Sequence, residues 1–344
     1  MKKLRVIDVD GHCMERDTQI LNFAHYRGRP LQGVDAPFSI WPSLDGWFRV
    51  ASDALSAGDP EAWVSFLEDT RMEMTFLYPT SGLAFGLIQD RYWAVSVAKA
   101  YNDWLHGTYT RRDARLQGIA LLPVHDVPEA VAELRRAVTE LGMRGAVLPA
   151  VTGLGKAYGH ADFDPLWAEA ERLDVALALH GAPSKGMGFD FFDSFIKTHT
   201  LEHPFAILIQ LTSMMFDGVF ERFPKLRVAF LEAGCGWVPY MMDRMDEEYE
   251  RRGARWAPAL KRKPSEVFRS GSIYVSCEVE ERTLPYVVEA LGENNIFFAS
   301  DYPHERLREG FLKDIPEFAA RTDLSEKVKE NILFRNTQRF YRLD

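Results

Sequence analysis

An alternation of short apolar runs with segments of helical periodicity constrains the fold of this 344-residue chain more than any other feature. Eight runs have the composition of buried strands: residues 5–10, 74–78, 116–122, 145–148, 175–180, 226–232, 272–277 and 296–301. Helical patterns follow most of them, at residues 92–105, 127–141, 165–173, 205–223, 237–252, 284–291 and 310–320. Parallel strands need long crossovers of this kind, and eight strand–helix units close most naturally into a (β/α)8 TIM barrel.

A doubly wound open sheet is the alternative, although no G-x-G-x-x-G motif follows the first run. We expect one barrel domain over residues 1–344, with an insertion at about residues 16–58. This insertion is rich in Pro, Gly and aromatic residues (Phe23, Tyr26, Phe38, Trp41, Trp47 and Phe48), which favours a lid or a subunit contact. Residues 181–200, with Lys185 and Phe189–Phe192, are expected to line a pocket. The tail, residues 324–343, is predicted to be a helix that packs under or beside the barrel.

Composition excludes several classes of protein. The net charge of −9 and the lack of a basic stripe exclude a nucleic-acid-binding surface. No apolar run reaches the roughly 18 residues of a membrane span, and the start lacks the apolar core of a signal peptide. Three scattered cysteines, Cys13, Cys235 and Cys277, are typical of a reducing compartment, so we expect a cytoplasmic protein.

Four predicted strands end in metal-capable side chains. They are Asp10, with His12 just beyond it, in the first, His180 in the fifth, Glu232 in the sixth, and Asp301, with His304 just beyond it, in the eighth. Strand alternation also predicts that Asp8, Asp10 and His12 share one face. In a (β/α)8 barrel the C-terminal strand ends form the active site. A single histidine after an apolar run is more often a core residue, but four such endings together predict a metal centre.

A second group of candidates lies near a predicted helix start. His199 and His203 are spaced i, i+4 and could share one face, while Pro204 predicts that the helix proper begins there. His203 is a candidate catalytic residue, as a proton carrier or a substrate contact, with a structural capping role as the alternative. Adding Glu15 or His304 to the strand-end residues would give enough ligands for a dinuclear centre.

Four motifs resemble the amidohydrolase superfamily, in the branch of 2-amino-3-carboxymuconate-6-semialdehyde decarboxylase and its relatives. They are IDVDGH at residues 7–12, DPLW at 164–167, FPKLR at 223–227 and ASDYPH at 299–304. The resemblance implies a divalent metal held by a strand-one H-x-H pair, a strand-five His and a strand-eight Asp, with a strand-six His assisting. The metal role then transfers directly to His12, His180 and Asp301, but only by position to Asp10. Glu232 occupies the slot of the strand-six His.

These substitutions bear on the metal and the reaction. Carboxylates make the site harder and more anionic, which favours Mn²⁺ or Fe²⁺, whereas imidazole also suits Zn²⁺. One or two ions are expected, with Glu232 as a ligand or bridge and Asp301 as the residue that accepts or delivers a proton. The predicted reaction is hydrolysis or non-oxidative decarboxylation of a small organic substrate, with an aromatic portion indicated by the aromatic insertion.

Two alternatives stay open. A carboxylate-rich Mn/Fe or di-iron centre could instead activate O₂, which would make the protein an oxygenase on the same barrel. The loss of both family histidines could also mark a non-catalytic partner subunit. The resemblance further implies a homodimer, and no cofactor other than the metal is expected.

Overall fold

Eight parallel strands form one sheet in chain order, as the sequence predicts. The computed structural model describes residues 4–33, 39–43, 57–181, 186–304 and 306–343. The strands are β1 Ile7–Cys13, β2 Met74–Pro79, β3 Leu116–Leu121, β4 Gly145–Pro149, β5 Ala176–His180, β6 Val228–Leu231, β7 Ile273–Cys277 and β8 Ile296–Phe298. Almost every strand residue is buried, because helices cover the outer face and side chains fill the interior.

The residues after β8 close the barrel against β1. The amide of Asp301 donates to the carbonyl of Asp10 at 2.9 Å, and the amide of His12 donates to the carbonyl of Tyr302 at 2.8 Å. This pairing confirms the (β/α)8 TIM barrel. It also places the strand-one and strand-eight candidates side by side.

Helices follow the strands around the barrel. They are α1 Asp17–Leu21, α2 Pro60–Thr70, α3 Arg91–Leu105, α4 Val127–Thr139, α5 Asp164–Leu173, α6 Phe195–Phe216, α7 Val219–Arg222, α8 Trp237–Trp256, α9 Pro264–Phe268, α10 Leu284–Leu291, α11 Arg308–Phe311, α12 Asp314–Ala320, α13 Glu326–Glu330 and α14 Asn336–Tyr341. Side chains such as Asp59 and Asp90 accept hydrogen bonds from the first turns of α2 and α3, which fixes where these helices begin.

The prediction that the sixth helix begins at Pro204 is wrong. Helix α6 begins at Phe195, and Pro204 lies inside it. Proline removes one backbone donor, which costs about 3 kcal/mol in a helix interior. The turns before it are nevertheless held by packing, since Thr198, Glu202 and His203 are all buried. One consequence is that His199 and His203 both lie on the same continuous helix.

The prediction that Asp8 shares a face with Asp10 and His12 is also wrong. The pairing of β1 with β2 shifts register between Asp8 and Gly11, and such a shift reverses the side-chain alternation. The carboxylate of Asp8 instead accepts hydrogen bonds from the Thr75 hydroxyl and from the amide and hydroxyl of Ser300, at 2.7–2.8 Å. Asp8 therefore joins β1 to its two neighbours.

The C-terminal tail packs under the barrel, which confirms the prediction of a helical tail. It runs through α13, a π-helical turn at Asn331–Arg335 and α14. The ring of Tyr341 stacks on Phe76 with centroids 3.6 Å apart, and its hydroxyl lies 2.9 Å from that of Tyr78. Phe340 packs against Tyr274, with ring centroids 4.8 Å apart. These aromatic rings fill the barrel from the end opposite the strand-end candidates.

The insertion after β1 is described only in part. It contains α1 and a two-residue pairing of His25–Tyr26 with Arg29–Pro30. Phe38, Trp47 and Phe48 lie outside the described residues, as does Lys185 of the second candidate loop. The lid function of the insertion stays a prediction.

Candidate metal centre

Four of the predicted ligands converge at the C-terminal mouth of the barrel. Nε2 of His12 lies 3.6 Å from Oδ1 of Asp10 and 3.4 Å from Oδ1 of Asp301. Nε2 of His180 lies 3.9 Å from Oδ2 of Asp10. Ligand atoms that surround a cation at about 2.1 Å in a tetrahedron are about 3.4 Å apart. The spacing therefore brings Asp10, His12 and His180 together as one group able to hold a divalent ion, with Asp301 beside His12 in an overlapping group that also contains His304.

The two central imidazoles both face this point. Nδ1 of His12 donates to the carbonyl of Pro79 at 2.8 Å, and Nδ1 of His180 donates to the carbonyl of Gly181 at 3.1 Å. For His12 this bond selects the tautomer whose Nε2 is unprotonated, as metal-binding histidines require. Neither Nε2 of His12 nor either carboxylate oxygen of Asp10 has a hydrogen-bond partner among the described residues, although all three atoms are buried. Nε2 of His180 instead lies 2.6 Å from a carboxylate oxygen of Glu232, which a cation at this point would displace.

The local backbone holds His12 firmly in place. Gly11, next to it, has no room for a side chain, because a Cβ there would collide with the Trp63 ring and the Thr75 hydroxyl. Trp63 is fully buried, and its indole N–H donates to the carbonyl of His12 at 2.9 Å. Helix α2 thereby fixes the end of β1 that carries the two candidate ligands.

The backbone is strained at the two carboxylates that follow β6 and β8. Glu232 and Asp301 have φ values of 55° and 54°, in the left-handed region that non-glycine residues rarely adopt. Such conformations cost on the order of 1 kcal/mol or more, and they concentrate at functional sites. In both cases the strain occurs at a predicted ligand.

Carboxylates and imidazoles perturb one another strongly in this cluster. Burial raises the pKa of Asp10 well above its usual value, and repulsion from Glu232 and Asp301 adds to the effect. Burial also raises the pKa of Asp301. Burial alone would lower the pKa of His180, but Glu232 and Asp10 raise it to about 9. A bound cation would relieve the repulsion among these carboxylates.

Glu232 links this cluster to helix α6. Its Oε2 atom lies 2.6 Å from Nε2 of His180, and its Oε1 atom lies 3.5 Å from Nε2 of His203. Burial opposes ionisation, but His203 and His180 hold the pKa of Glu232 well below its usual range. The structure therefore brings Glu232 and His203 to the same site as the predicted ligands.

His304 also lies at the site, although both of its ring nitrogens already have partners. Nδ1 donates to Oδ1 of Asp301 at 2.8 Å, and Nε2 lies 2.9 Å from the hydroxyl of Thr80. That hydroxyl donates to the carbonyl of Cys13, so it accepts from His304. Burial lowers the pKa of His304, but Asp301 raises it to about 9. An imidazole that donates through both nitrogens has no lone pair for a metal.

Glu15 does not belong to the cluster. Its carboxylate accepts hydrogen bonds from the backbone amides of Thr80, Ser81 and Gly82, at 2.9–3.2 Å. These amides begin the 3₁₀ turn after β2, and they leave Glu15 with a structural function. The hypothesis that Glu15 completes a dinuclear centre therefore finds no support in this geometry.

Replacing Glu15 by glutamine should lower the free energy of unfolding by about 1–3 kcal/mol without changing the metal content. Glutamine has only one acceptor oxygen for the three amides. Burial raises the pKa of Glu15 from 4.5 to about 6 in the folded protein. The folded state therefore binds more protons, so the wild type should lose stability as the pH rises from 4.5 through 6, and the variant should lack this loss. Urea titrations at several pH values measure the stability of both proteins, and elemental analysis measures their metal content. Loss of metal in the Glu15→Gln variant would instead identify Glu15 as a ligand.

One site residue was missed in the sequence. Glu202 lies between the two histidines of α6, and no signal pointed to it because the helix was expected to begin after it. Thr80, which directly follows a predicted strand and is a candidate to line the substrate site, contacts His304.

A barrel of this topology, with aspartate and histidine side chains gathered at its mouth, defines the class of metal-dependent barrel enzymes. The sequence profile of the amidohydrolase family matches residues 7–343. The chain belongs to this family, and its membership confirms the superfamily predicted from the four motifs.

Similar proteins include several decarboxylases. The chain is 27% identical to 2-amino-3-carboxymuconate-6-semialdehyde decarboxylase of Dictyostelium discoideum, over 88% of this chain and 81% of that protein. It is 26% identical to gamma-resorcylate decarboxylase of Rhizobium radiobacter, over 81% and 88%. The structure resembles dihydroxybenzoic acid decarboxylase of Polaromonas sp., solved with manganese and the inhibitor 2-nitroresorcinol, with a TM-score of 0.75, 21% identity and coverage of 99% and 98%.

The described helices include none whose length and apolar character would let it cross a membrane. This finding agrees with the absence of a long apolar run in the sequence.

Proposed function

We propose that this protein is a metal-dependent decarboxylase that removes CO₂, without oxidation, from a small aromatic or unsaturated carboxylic acid. One observation carries the proposal: Asp10, His12 and His180 offer ligand atoms within 4.8 Å of one another at the barrel mouth, and Asp301 lies 3.4 Å from His12. The names of the relatives support decarboxylation over hydrolysis, since both curated relatives above are decarboxylases.

Asp10, His12, His180 and Asp301 are the proposed ligands. When bound there, a divalent cation such as Mn²⁺ supplies a positive charge that holds the substrate carboxylate and an adjacent oxygen and stabilises negative charge as CO₂ departs. The manganese in the Polaromonas enzyme and the mixed oxygen and nitrogen donors of this site both support Mn²⁺. Zn²⁺ and Fe²⁺ are the other ions that suit the same donors.

Asp301 is the proposed proton donor. The imidazole of His304 donates to its carboxylate at 2.8 Å, so it can supply a proton that Asp301 passes to the carbon that loses CO₂. The carbon–carboxyl bond breaks, its electron pair stays on the carbon, and the proton takes the place of the carboxyl group. His304, 2.8 Å from Asp301, is proposed to orient this carboxylate rather than to bind the metal.

Glu232 and His203 are proposed to form the opposite wall of the reacting site. Glu232 contacts His180, so it sets the charge beside that ligand. His203 in turn faces Glu232 and is buried except for a small fraction of its surface. Both are proposed to act on the substrate beside the metal ligands.

The test is turnover of a panel of hydroxybenzoic acids by Mn²⁺-loaded protein under anaerobic conditions in D₂O. We expect release of CO₂ and one deuterium at the carbon that carried the carboxyl group. Turnover that requires O₂ would favour the oxygenase alternative. Hydrolysis of esters or amides without any CO₂ release would contradict the proposal.

We further propose that the active form is a cytoplasmic homodimer with one barrel domain per chain. The three cysteines are buried and unpaired, which supports a reducing compartment. Phe205 and Ile209 on the outer face of α6 are each more than two-fifths exposed, and a second copy could cover them. Sedimentation equilibrium measures the mass, and a monomer at micromolar concentration would contradict the dimer.

A further inference from the structure

Helix α6 carries a second set of metal-capable side chains that the proposed single-ion mechanism does not use. Residues 199–203 have the sequence HTLEH, which places two histidines at i and i+4 with a glutamate between them. On a continuous helix this spacing puts all three side chains on one face. Paired helical histidines with an adjacent glutamate form zinc sites in several metallopeptidases.

The three side chains meet in the structure. Nδ1 of His199 donates a hydrogen bond to Oε1 of Glu202 at 2.6 Å, which a shared cation would have to replace, and Nε2 of His203 lies 3.5 Å from the same oxygen. The three residues each offer a ligand atom within 4.8 Å of the others. Glu202 is fully buried, His203 is buried, and His199 is partly exposed, so an ion could enter from the His199 side.

Glu232 connects this group to the first site. One of its oxygens faces His180 and the other faces His203, at the 2.6 Å and 3.5 Å distances given above. A separation of 3.5 Å is close to the roughly 3.4 Å expected between two ligand atoms of one tetrahedral ion. A carboxylate with an imidazole on each side is suited to lie between two cations.

We propose that His199, Glu202 and His203 bind a second divalent cation, with Glu232 between it and the first. Two imidazoles and a carboxylate suit Zn²⁺ in particular. The inference goes beyond the proposed function, because decarboxylation as described needs only the first ion.

The experiment measures bound metal per chain. Purified full-length protein is dialysed against a chelator and then against Zn²⁺, excess ion is removed, and zinc is counted by elemental analysis. We expect two ions in the wild type, one in Glu202→Gln and one in Asp10→Asn. His160→Ala is the matched control, since His160 lies on a surface loop beside Asp162, and it should keep two ions.

A second variant and a second readout guard against misfolding. His199→Ala changes a partly exposed position, so it should fold and also bind one ion. Mn²⁺-loaded wild type should give the paramagnetic resonance spectrum of a coupled pair, and both α6 variants that of an isolated ion. One ion in the wild type, or two in both α6 variants, would overturn the proposal. If Asp10→Asn loses an ion and the α6 variants do not, the second site is overturned, but the single-ion function proposed above still stands.

Discussion

Replacing Asp301 by asparagine is expected to lower kcat for decarboxylation by about three orders of magnitude. Asparagine keeps the size of the side chain, but it cannot deliver a proton, and it is a weaker metal ligand. The salt bridge with His304 is lost at the same time. Steady-state release of CO₂ at saturating Mn²⁺ measures the effect, and the metal content of the same samples separates lost chemistry from lost metal.

Asp162→Asn is the control for this substitution. Asp162 lies on a surface loop, where it pairs with Lys156 and His160. Its replacement by asparagine should leave kcat unchanged. An Asp301→Asn variant that retained both its metal and its turnover would remove Asp301 from the mechanism. The decarboxylase proposal would then lack its proton donor.

Replacing Tyr341 by alanine is expected to lower the free energy of unfolding by about 3–5 kcal/mol, as for other large aromatic side chains in cores. Tyr341 lies in the C-terminal helix α14, and its ring stacks on that of Phe76 beneath the barrel. Its removal leaves a cavity that β2 and its neighbours cannot fill, because the strands are fixed by their hydrogen bonds. Urea denaturation followed by circular dichroism measures the loss.

Two further variants separate the contributions of Tyr341. Tyr341→Phe keeps the ring and loses only the hydroxyl contact with Tyr78, so it should cost about 1 kcal/mol. Arg342→Ala changes the next residue, whose side chain is mostly exposed, and should cost less than either. An alanine variant as stable as the wild type would mean that the tail is not part of the barrel core.

The sequence predicted the barrel because its signals were local and repeated. Each of the eight predicted runs overlaps an observed strand, and the parallel order follows from the helical crossovers. The candidate ligands could be predicted for the same reason. A parallel barrel brings the ends of distant strands to one mouth, so Asp10, His180 and Asp301 could be grouped without knowledge of their distances.

The errors occurred where non-local packing outweighed a local pattern. The alternation of β1 failed at Asp8 because a register shift between Asp8 and Gly11 turned the side chain toward Thr75 and Ser300. The predicted start of α6 at Pro204 failed because buried contacts hold the preceding turns. Glu15 was predicted as a candidate ligand, but its oxygens accept hydrogen bonds from three backbone amides instead.

By itself the sequence determined the class of fold, the end of the barrel that carries the chemistry and the residue types gathered there, because these follow from periodicity and strand order. Only the tertiary structure decided which candidates face one point. It turned the Nε2 atoms of His12 and His180 toward Asp10, engaged both nitrogens of His304, and placed Glu232 between His180 and His203. Ligand geometry depends on hydrogen bonds to residues distant in the chain, and no local pattern contains them.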